Sequence, residues 1–188
     1  MSPGQRHTGC ALLLCCLLQP WTIGMAGEGV GSIPLIDQDG ADFQLSALHG
    51  SVVLLLFGFT HCPHICPVEM SRVTSALETL ESRGQEVQAI FISVDPQRDS
   101  PAVIKSYLSH FHPAIIGLTG TPDNLDAVTD YYRVKRVQAP TAQGSYLVDH
   151  GNSLYLLNSK GEPEALVPPG LPPSHIVSLV EALQEHTH

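Results

Sequence analysis

Two cysteines four positions apart, Cys62 and Cys66, are the residues of this chain whose type and spacing most directly suggest chemistry. An apolar run, Val52 to Phe57, ends shortly before them, and a helical pattern begins at Pro67. Both thiols are therefore expected at a corner between a strand and a helix. The N–H groups at a helix N-terminus favour thiolate over thiol, which predicts cysteines more acidic than a free one. Thiolate is the form that binds a soft metal ion or attacks a disulfide, and this spacing permits both.

Residues 1–26 have the order of a signal peptide. Arg6 precedes the apolar run Cys10 to Leu18, and small residues follow from Gly24 to Gly27. This run is shorter than the roughly 20 apolar residues that a membrane-spanning helix requires, so cleavage is favoured and retention as an N-terminal membrane anchor is the alternative. In both cases the sequence predicts export to the periplasm, as a soluble protein or one tethered to the inner membrane. The mitochondrial intermembrane space is the alternative, which a leader with one Arg and little amphipathic character disfavours.

The exported part beyond residue 26 contains two cysteines, Cys62 and Cys66, because the other three of the five lie within residues 1–26. In an oxidising compartment such a pair forms a disulfide unless a reductant or a metal ion intervenes. The pair is therefore a candidate for metal binding, for thiol-disulfide exchange, or for both.

Composition and charge limit the kinds of partner. The chain has 188 residues, of which 43% are hydrophobic, and this is enough for one domain with a real core, assigned to residues 27–188. Its formal net charge is −9 and no basic patch occurs along it, which argues against a nucleic acid as partner. An acidic surface without an obvious apolar patch favours a monomer.

Strand and helix patterns alternate along the predicted domain. The predicted strands are an N-terminal hairpin, Ile33–Ile36 with Phe43–Leu45, followed by Val52–Phe57, Val87–Val94, Ile115–Leu118, Tyr146–Val148 and Leu154–Leu157. Helices are predicted to begin at Pro67, Ser100, Thr121 and Ser174. This alternation predicts an α/β domain in which helices cover both faces of a mixed central sheet, and its order fits a thioredoxin-like fold.

Four motifs in succession resemble the signatures of the Sco/SenC family. They are Gly58–Pro67, which contains the C-x-x-x-C pair, then Ser93–Asp99, Gly117–Gly120 and Val148–His150. Members of that family have a thioredoxin-like fold, bind copper through the two cysteines and a distant histidine, and serve in assembling the copper centre of cytochrome c oxidase. The resemblance implies that Cys62, Cys66 and His150 bind one copper ion per chain.

The partners that the resemblance implies are a copper-centre subunit of the oxidase or another cuproprotein, together with a copper donor or a thiol reductant. The implied ligand set makes chemical sense, because thiolates suit Cu(I) and an added imidazole allows Cu(II) to be held as well. Asp149 is a candidate to orient His150, with a plain turn residue as the alternative. The family commonly has Asp or another small polar residue where this chain has His64, so a fourth ligand and a solvent-exposed imidazole both remain open for it.

The alternative function is an exported thiol-disulfide oxidoreductase that acts on cysteines of a partner cuproprotein, with Cys62 and Cys66 as the redox-active pair. Two features disfavour it. Three residues separate the two cysteines, where redox thioredoxins have two. Redox thioredoxins also have a proline that faces the active cysteines, and no proline stands between Gly144 and Leu154 here. A carrier rather than an enzyme is the preferred interpretation. The two roles can combine, because copper cannot enter a disulfide and the pair must be reduced before loading.

Overall fold

The computed structural model describes residues 29–141 and 146–185. The predicted leader, residues 1–26, and the C-terminal histidines His186 and His188 lie outside the described residues. Within the described part, no helix combines the length and the apolar content that crossing a membrane requires.

Strands and helices alternate through the described residues. The strands are β1 Leu35–Asp37, β2 Asp42–Phe43, β3 Val53–Gly58, β4 Gln88–Ser93, β5 Ile115–Thr119, β6 Val137–Pro140, β7 Tyr146–Asp149, β8 Leu154–Leu157 and β9 Pro163–Val167. The α-helices are α1 Ile65–Ser82, α2 Pro101–Leu108, α3 Pro122–Tyr131 and α4 Pro173–Glu185. The side chains of Ser100 and Thr121 accept hydrogen bonds from backbone N–H groups in the first turns of α2 and α3, as residues at these caps are expected to do.

The main sheet has seven strands in the order β2-β1-β5-β4-β3-β8-β9. Its centre is parallel, since β3 pairs with β4 and β4 pairs with β5 in the same direction, whereas β1, β8 and β9 pair antiparallel. The predicted N-terminal hairpin is present, with Leu35 opposite Phe43. Strands β6 and β7 form a separate two-stranded sheet, called here the β6–β7 hairpin.

The core lies in two layers, one on each face of the main sheet. Every residue of β3 is buried, and its side chains alternate, with Leu54 and Leu56 in one layer and Leu55 and Phe57 in the other. Helices α1, α2 and α4 supply the first layer, and α3 supplies the second. The predicted mixed sheet with helices on both faces is therefore confirmed.

Two strands were not predicted from the sequence, and several element boundaries differ, two of them near Leu45 and Pro67. Strands β6 and β9 were missed, since all four residues of β6 are exposed and β9 contains a proline and mostly exposed residues. Leu45 begins a short 3-10 helix, Leu45–Leu48, instead of ending a strand. Helix α1 begins at Ile65, two residues before Pro67, so Cys66 lies in the first turn of the helix.

Candidate metal centre

Cys62 and Cys66 lie on the segment that leads from β3 into α1. Cys66 is in the first turn of α1, and Cys62 precedes the helix in a tight turn closed by a hydrogen bond from its N–H group to the carbonyl of Phe59, at 3.1 Å. Both cysteines are free and largely buried, with 9% and 2% of their surface exposed. The loop thus delivers two thiols to one place at the carboxyl end of β3.

Gly58 allows the sheet to pass close beneath Cys66. A Cβ atom at position 58 would lie 3.2 Å from the Cys66 sulfur and only 2.6 Å from the ring of Phe91. Real Cβ atoms almost never approach a neighbour that closely, so a residue without a side chain is required there.

His150 follows β7 directly and brings its imidazole to the thiols. It is 7% exposed, and its ring meets the ring of Phe59 edge-on with 5.6 Å between the centroids. Its Nε2 atom lies 3.5 Å from the sulfur of Cys66, and its Nδ1 atom lies 3.0 Å from the carbonyl oxygen of Gly151. Because a carbonyl can only accept, Nδ1 carries the proton and donates it, so Nε2 presents its lone pair to the thiol side.

The structure therefore brings the three predicted ligands together. One ligand atom from each of Cys62, Cys66 and His150 lies within 4.8 Å of the other two. Two sulfurs and one imidazole nitrogen form a soft donor set of the kind that Cu(I) and Cu(II) sites use, so the residues present fit a copper ion. The hydrogen bond from Nδ1 to Gly151 is the usual arrangement for a histidine that binds metal through its other nitrogen.

Burial changes the expected acidity of Cys66. Loss of hydration raises the pKa of the Cys66 thiol, the neighbouring thiol of Cys62 adds to the rise, and a hydrogen bond from the backbone of Phe59 opposes it. The prediction of a more acidic thiol at a helix N-terminus was wrong for Cys66, because desolvation outweighs the helix dipole there. A metal ion that binds to the Cys66 sulfur must therefore displace the proton of the thiol.

His61 and His64, the histidines of the cysteine loop, are not part of this group of three candidate ligands. His64 is exposed just before α1, its side chain does not cap the helix, and it lines a shallow groove together with Cys62 and His150. The Nδ1 atom of His61 lies 3.1 Å from the hydroxyl of Thr60 and 3.5 Å from the carboxylate of Asp99. The side chain of Asp149, for which a supporting role was predicted, is outside those that the structure describes.

Asp99 anchors the start of the cysteine loop, a role that the sequence did not reveal. Its carboxylate is fully buried and accepts hydrogen bonds from the N–H group of Thr60 at 2.9 Å, the hydroxyl of Thr60 at 2.6 Å and the hydroxyl of Ser93 at 2.6 Å. Asp99 was singled out only as part of a family motif. Its burial depends on contacts 39 residues away along the chain, which spacing alone does not indicate.

A buried ion pair lies one turn beyond Cys66 on α1. Glu69 and Arg72 pair with each other, with 2% and 6% of their side chains exposed. The carboxylate of Glu69 also accepts from the N–H group of Gly170, and the guanidinium of Arg72 donates to the carbonyl of Leu171 at 2.9 Å. The pair therefore ties the first half of α1 to the segment that precedes α4.

The chain is similar to proteins of one family. The family model described as SCO1/SenC matches residues 26–185. The SCO2-like protein of Rickettsia felis is 40% identical over 134 residues, which make up 70% of this chain and 65% of that relative. The chain thus matches somewhat less than two thirds of that relative's length.

Solved structures agree with this likeness. Arabidopsis thaliana ScoI with copper bound superposes with a TM-score of 0.77 at 33% identity, over 84% of this chain and 99% of that one. BsSco, in which a disulfide switch was identified and which is a member of the Sco family of cytochrome c oxidase assembly proteins, superposes with a TM-score of 0.62 at 25% identity, over 80% of this chain and 90% of that one. The resemblance and the fold predicted from the sequence are both confirmed.

Proposed function

Because the chain belongs to the SCO1/SenC family, we propose that it is a copper metallochaperone that carries one copper ion on Cys62, Cys66 and His150. The observation that carries this proposal is the convergence of the two sulfurs and the imidazole nitrogen within 4.8 Å of one another. The structure of Arabidopsis thaliana ScoI with copper bound supports the choice of metal, because 99% of that chain superposes on 84% of this one.

The ligand set suits a carrier that accepts copper in either oxidation state and releases it again. The two thiolates favour Cu(I), and the imidazole adds the nitrogen donor that Cu(II) needs. Three protein ligands leave a coordination position for a ligand of the recipient. The shallow groove beside Cys62 and His150 gives such a ligand access from the surface.

We propose the copper centre of cytochrome c oxidase, or a comparable cuproprotein, as the recipient. Membership of the family and the description of BsSco as an oxidase assembly protein support this choice. A copper donor, or a reductant that keeps Cys62 and Cys66 as thiols, is the second partner required. We place the protein in the periplasm as a monomer, soluble or tethered by residues 1–26, on the basis of its leader and its acidic composition.

Metal analysis of the full chain, run beside a thiol count, tests the carrier function. We expect about one copper per chain bound by the reduced protein. Cys62→Ser, Cys66→Ser and His150→Ala should each weaken retention by more than about 100-fold, because removing even a supporting partner of a ligand typically weakens binding by about 10- to 100-fold. His110→Ala, which changes an exposed imidazole hydrogen-bonded only within its own turn, is the control and should retain copper normally.

Unchanged retention and an unchanged Cu(II) absorption spectrum in His150→Ala would remove the imidazole from the ligand set. Normal copper retention in both cysteine variants would exclude the carrier proposal altogether.

The second candidate is the thiol-disulfide oxidoreductase, which the proximity of two free sulfurs supports. In that reaction the Cys62 and Cys66 thiols would pass two electrons and two protons to a partner disulfide, which becomes two thiols while a Cys62–Cys66 disulfide forms. Insulin reduction at a rate near that of a thioredoxin, unaffected by His150→Ala, would favour this function over the carrier.

A further inference from the structure

The imidazole of His150 depends for its position on the β6–β7 hairpin, which lies outside the main sheet. The two strands pair only with each other among the described residues, and β6 is exposed along its whole length. A two-stranded ribbon is marginally stable in water by itself. His150 lies between this hairpin and β8, which pairs with β3 in the main sheet, so the attachment of the hairpin to the domain fixes one of the two sides from which the imidazole is held.

Arg98 provides the polar attachment on the β7 side, while Arg136, just before β6, pairs with Asp126 of α3. The Nη1 atom of Arg98 donates to the carbonyl oxygen of Tyr146, the first residue of β7, at 2.9 Å. Its guanidinium carbon lies 3.7 Å from the centre of the Tyr146 ring and 5.6 Å from the centre of the Phe59 ring. Arg98 thus contacts both the strand that leads to His150 and the aromatic residue against which that imidazole packs.

Asp95 contacts both the guanidinium of Arg98 and the hydroxyl of Tyr146, and so fixes these two side chains relative to each other. It is buried, accepts from Nε of Arg98 at 2.5 Å, and accepts from the hydroxyl of Tyr146 at 2.8 Å. The side chains of Asp95, Arg98 and Tyr146 therefore form a closed triangle of contacts. On the apolar side, Val148 is buried in the second core layer.

The same short loop also fixes the cysteine side of the site. Asp99, next to Arg98, holds Thr60 two residues before Cys62, and the N–H groups of Arg98 and Asp99 both donate to the carbonyl of Asp95. One turn between β4 and α2 thus holds two segments that are far apart in sequence. Its position serves as the common reference for the thiols and for the imidazole.

We propose that Arg98 is a positioning residue for His150, which holds the β6–β7 hairpin against the cysteine loop and thereby controls how strongly the protein holds Cu(II) relative to Cu(I). This consequence rests on the proposed carrier function. Cu(I) is held well by two thiolates, whereas Cu(II) needs the imidazole nitrogen. Loosening the hairpin should therefore weaken Cu(II) binding and leave Cu(I) binding nearly unchanged.

The first experiment needs no metal. Arg98→Lys keeps a positive charge beside Asp95 but loses the planar stack on Tyr146 and the forked donors. In the metal-free full chain we expect amide hydrogen exchange in residues 137–139 and 146–149 to become about tenfold faster, as local opening of the hairpin becomes easier. Exchange in β3 and β4 should not change.

The second experiment compares the two oxidation states of copper. In Arg98→Lys the affinity for Cu(II) should fall about tenfold, as expected for the loss of a cation–π contact and a hydrogen bond worth together roughly 1.4 kcal/mol. The absorption band that thiolate gives with Cu(II) should change as well. Affinity for Cu(I), measured against a competing chelator, should stay within about threefold, a difference smaller than one ordinary hydrogen bond provides.

Three further variants guard against a trivial loss of folding. Tyr146→Leu removes the other half of the stack at a half-exposed position and should reproduce both effects. Arg83→Lys, in a carboxylate pair with Glu181, and Tyr131→Leu, at a 48% exposed tyrosine on α3, are the matched controls and should change neither measurement.

Unchanged exchange in the hairpin of both Arg98→Lys and Tyr146→Leu would overturn the positioning role. Equal weakening of Cu(I) and Cu(II) would also overturn it, because that result indicates general destabilisation. The exchange measurement remains decisive even if the protein proves not to carry copper, so failure of this inference is distinguishable from failure of the proposed function.

Discussion

Single side chains at the candidate centre are set by what surrounds them more than by their own type. Cys66 lies at a helix N-terminus, where a thiolate is favoured, yet burial raises its pKa. The tautomer of His150 is fixed by the carbonyl of Gly151, its immediate neighbour in the chain. The backbone at Gly58 passes beneath the sulfur of Cys66 because position 58 has no side chain.

Gly58→Ala is expected to destabilise the domain by about 1–3 kcal/mol, because the added methyl group overlaps the ring of Phe91 in a packed core. Urea unfolding monitored by circular dichroism measures this change. The control is Gly151→Ala, where an added Cβ meets nothing within 4 Å, and its effect should remain within about 0.5 kcal/mol. Equal stability of the two variants would show that the ring of Phe91 can shift aside without loss.

At the scale of elements, helix α1 is held by contacts near its start and at its end. Its first turn carries Cys66 under the imidazole, and the buried pair of Glu69 and Arg72 ties the next turn to the segment before α4. A second pair, Arg83 with Glu181, joins the far end of α1 to α4 at the surface. The first pair lies within α1 and is buried, whereas the second joins the end of α1 to α4 and is exposed.

Glu69→Ala should therefore destabilise the protein by about 3–5 kcal/mol, because it leaves the charge of Arg72 buried without a partner. Glu181→Ala, which breaks the exposed pair with Arg83, should change stability by no more than about 1 kcal/mol. Denaturant unfolding of both variants gives the comparison. A smaller loss in Glu69→Ala than in Glu181→Ala would contradict the idea that the buried pair fixes the helix.

The elements themselves were predictable wherever burial leaves a pattern in the sequence. Strand β3 was predicted because an unbroken apolar run is what a strand buried on both faces requires. Strand β6 has only exposed residues and no such pattern, so it was missed together with its pairing to β7. The role of Arg98 was missed for a related reason, since its partner Tyr146 lies 48 residues further along the chain.

At the scale of the whole molecule, the centre joins two regions of the chain that lie far apart in sequence. Cys66 and His150 are 84 residues apart in sequence, and they meet only when the cysteine loop and the β6–β7 hairpin are both in place. A ligand that binds all three residues binds the folded state more tightly than the unfolded chain, in which only the two thiols stay close together. Metal binding should therefore be coupled to the stability of the entire domain.

Copper is expected to stabilise the folded protein by at most about 4 kcal/mol when the free ion is buffered roughly 1,000-fold above its dissociation constant, and binding of Cu(I) to the two thiols of the unfolded chain lowers this value. Unfolding in denaturant under reducing conditions, with and without buffered Cu(I), measures this difference. Adding a strong chelator should reverse it, and Cys66→Ser should abolish it. Equal stability of the native protein with and without copper would mean that the ion does not bind the folded domain.

The long separation between the thiols and the imidazole also has a consequence for biosynthesis. During translation both sulfurs emerge from the ribosome well before residue 150 is made, so a nascent chain carries an incomplete metal site with two of its three ligands. Such a fragment can trap stray Cu(I) or oxidise, but it lacks the nitrogen donor that Cu(II) requires. Binding of Cu(II) is accordingly a step for the finished polypeptide, after His150 has been made and the β6–β7 hairpin has packed against the domain.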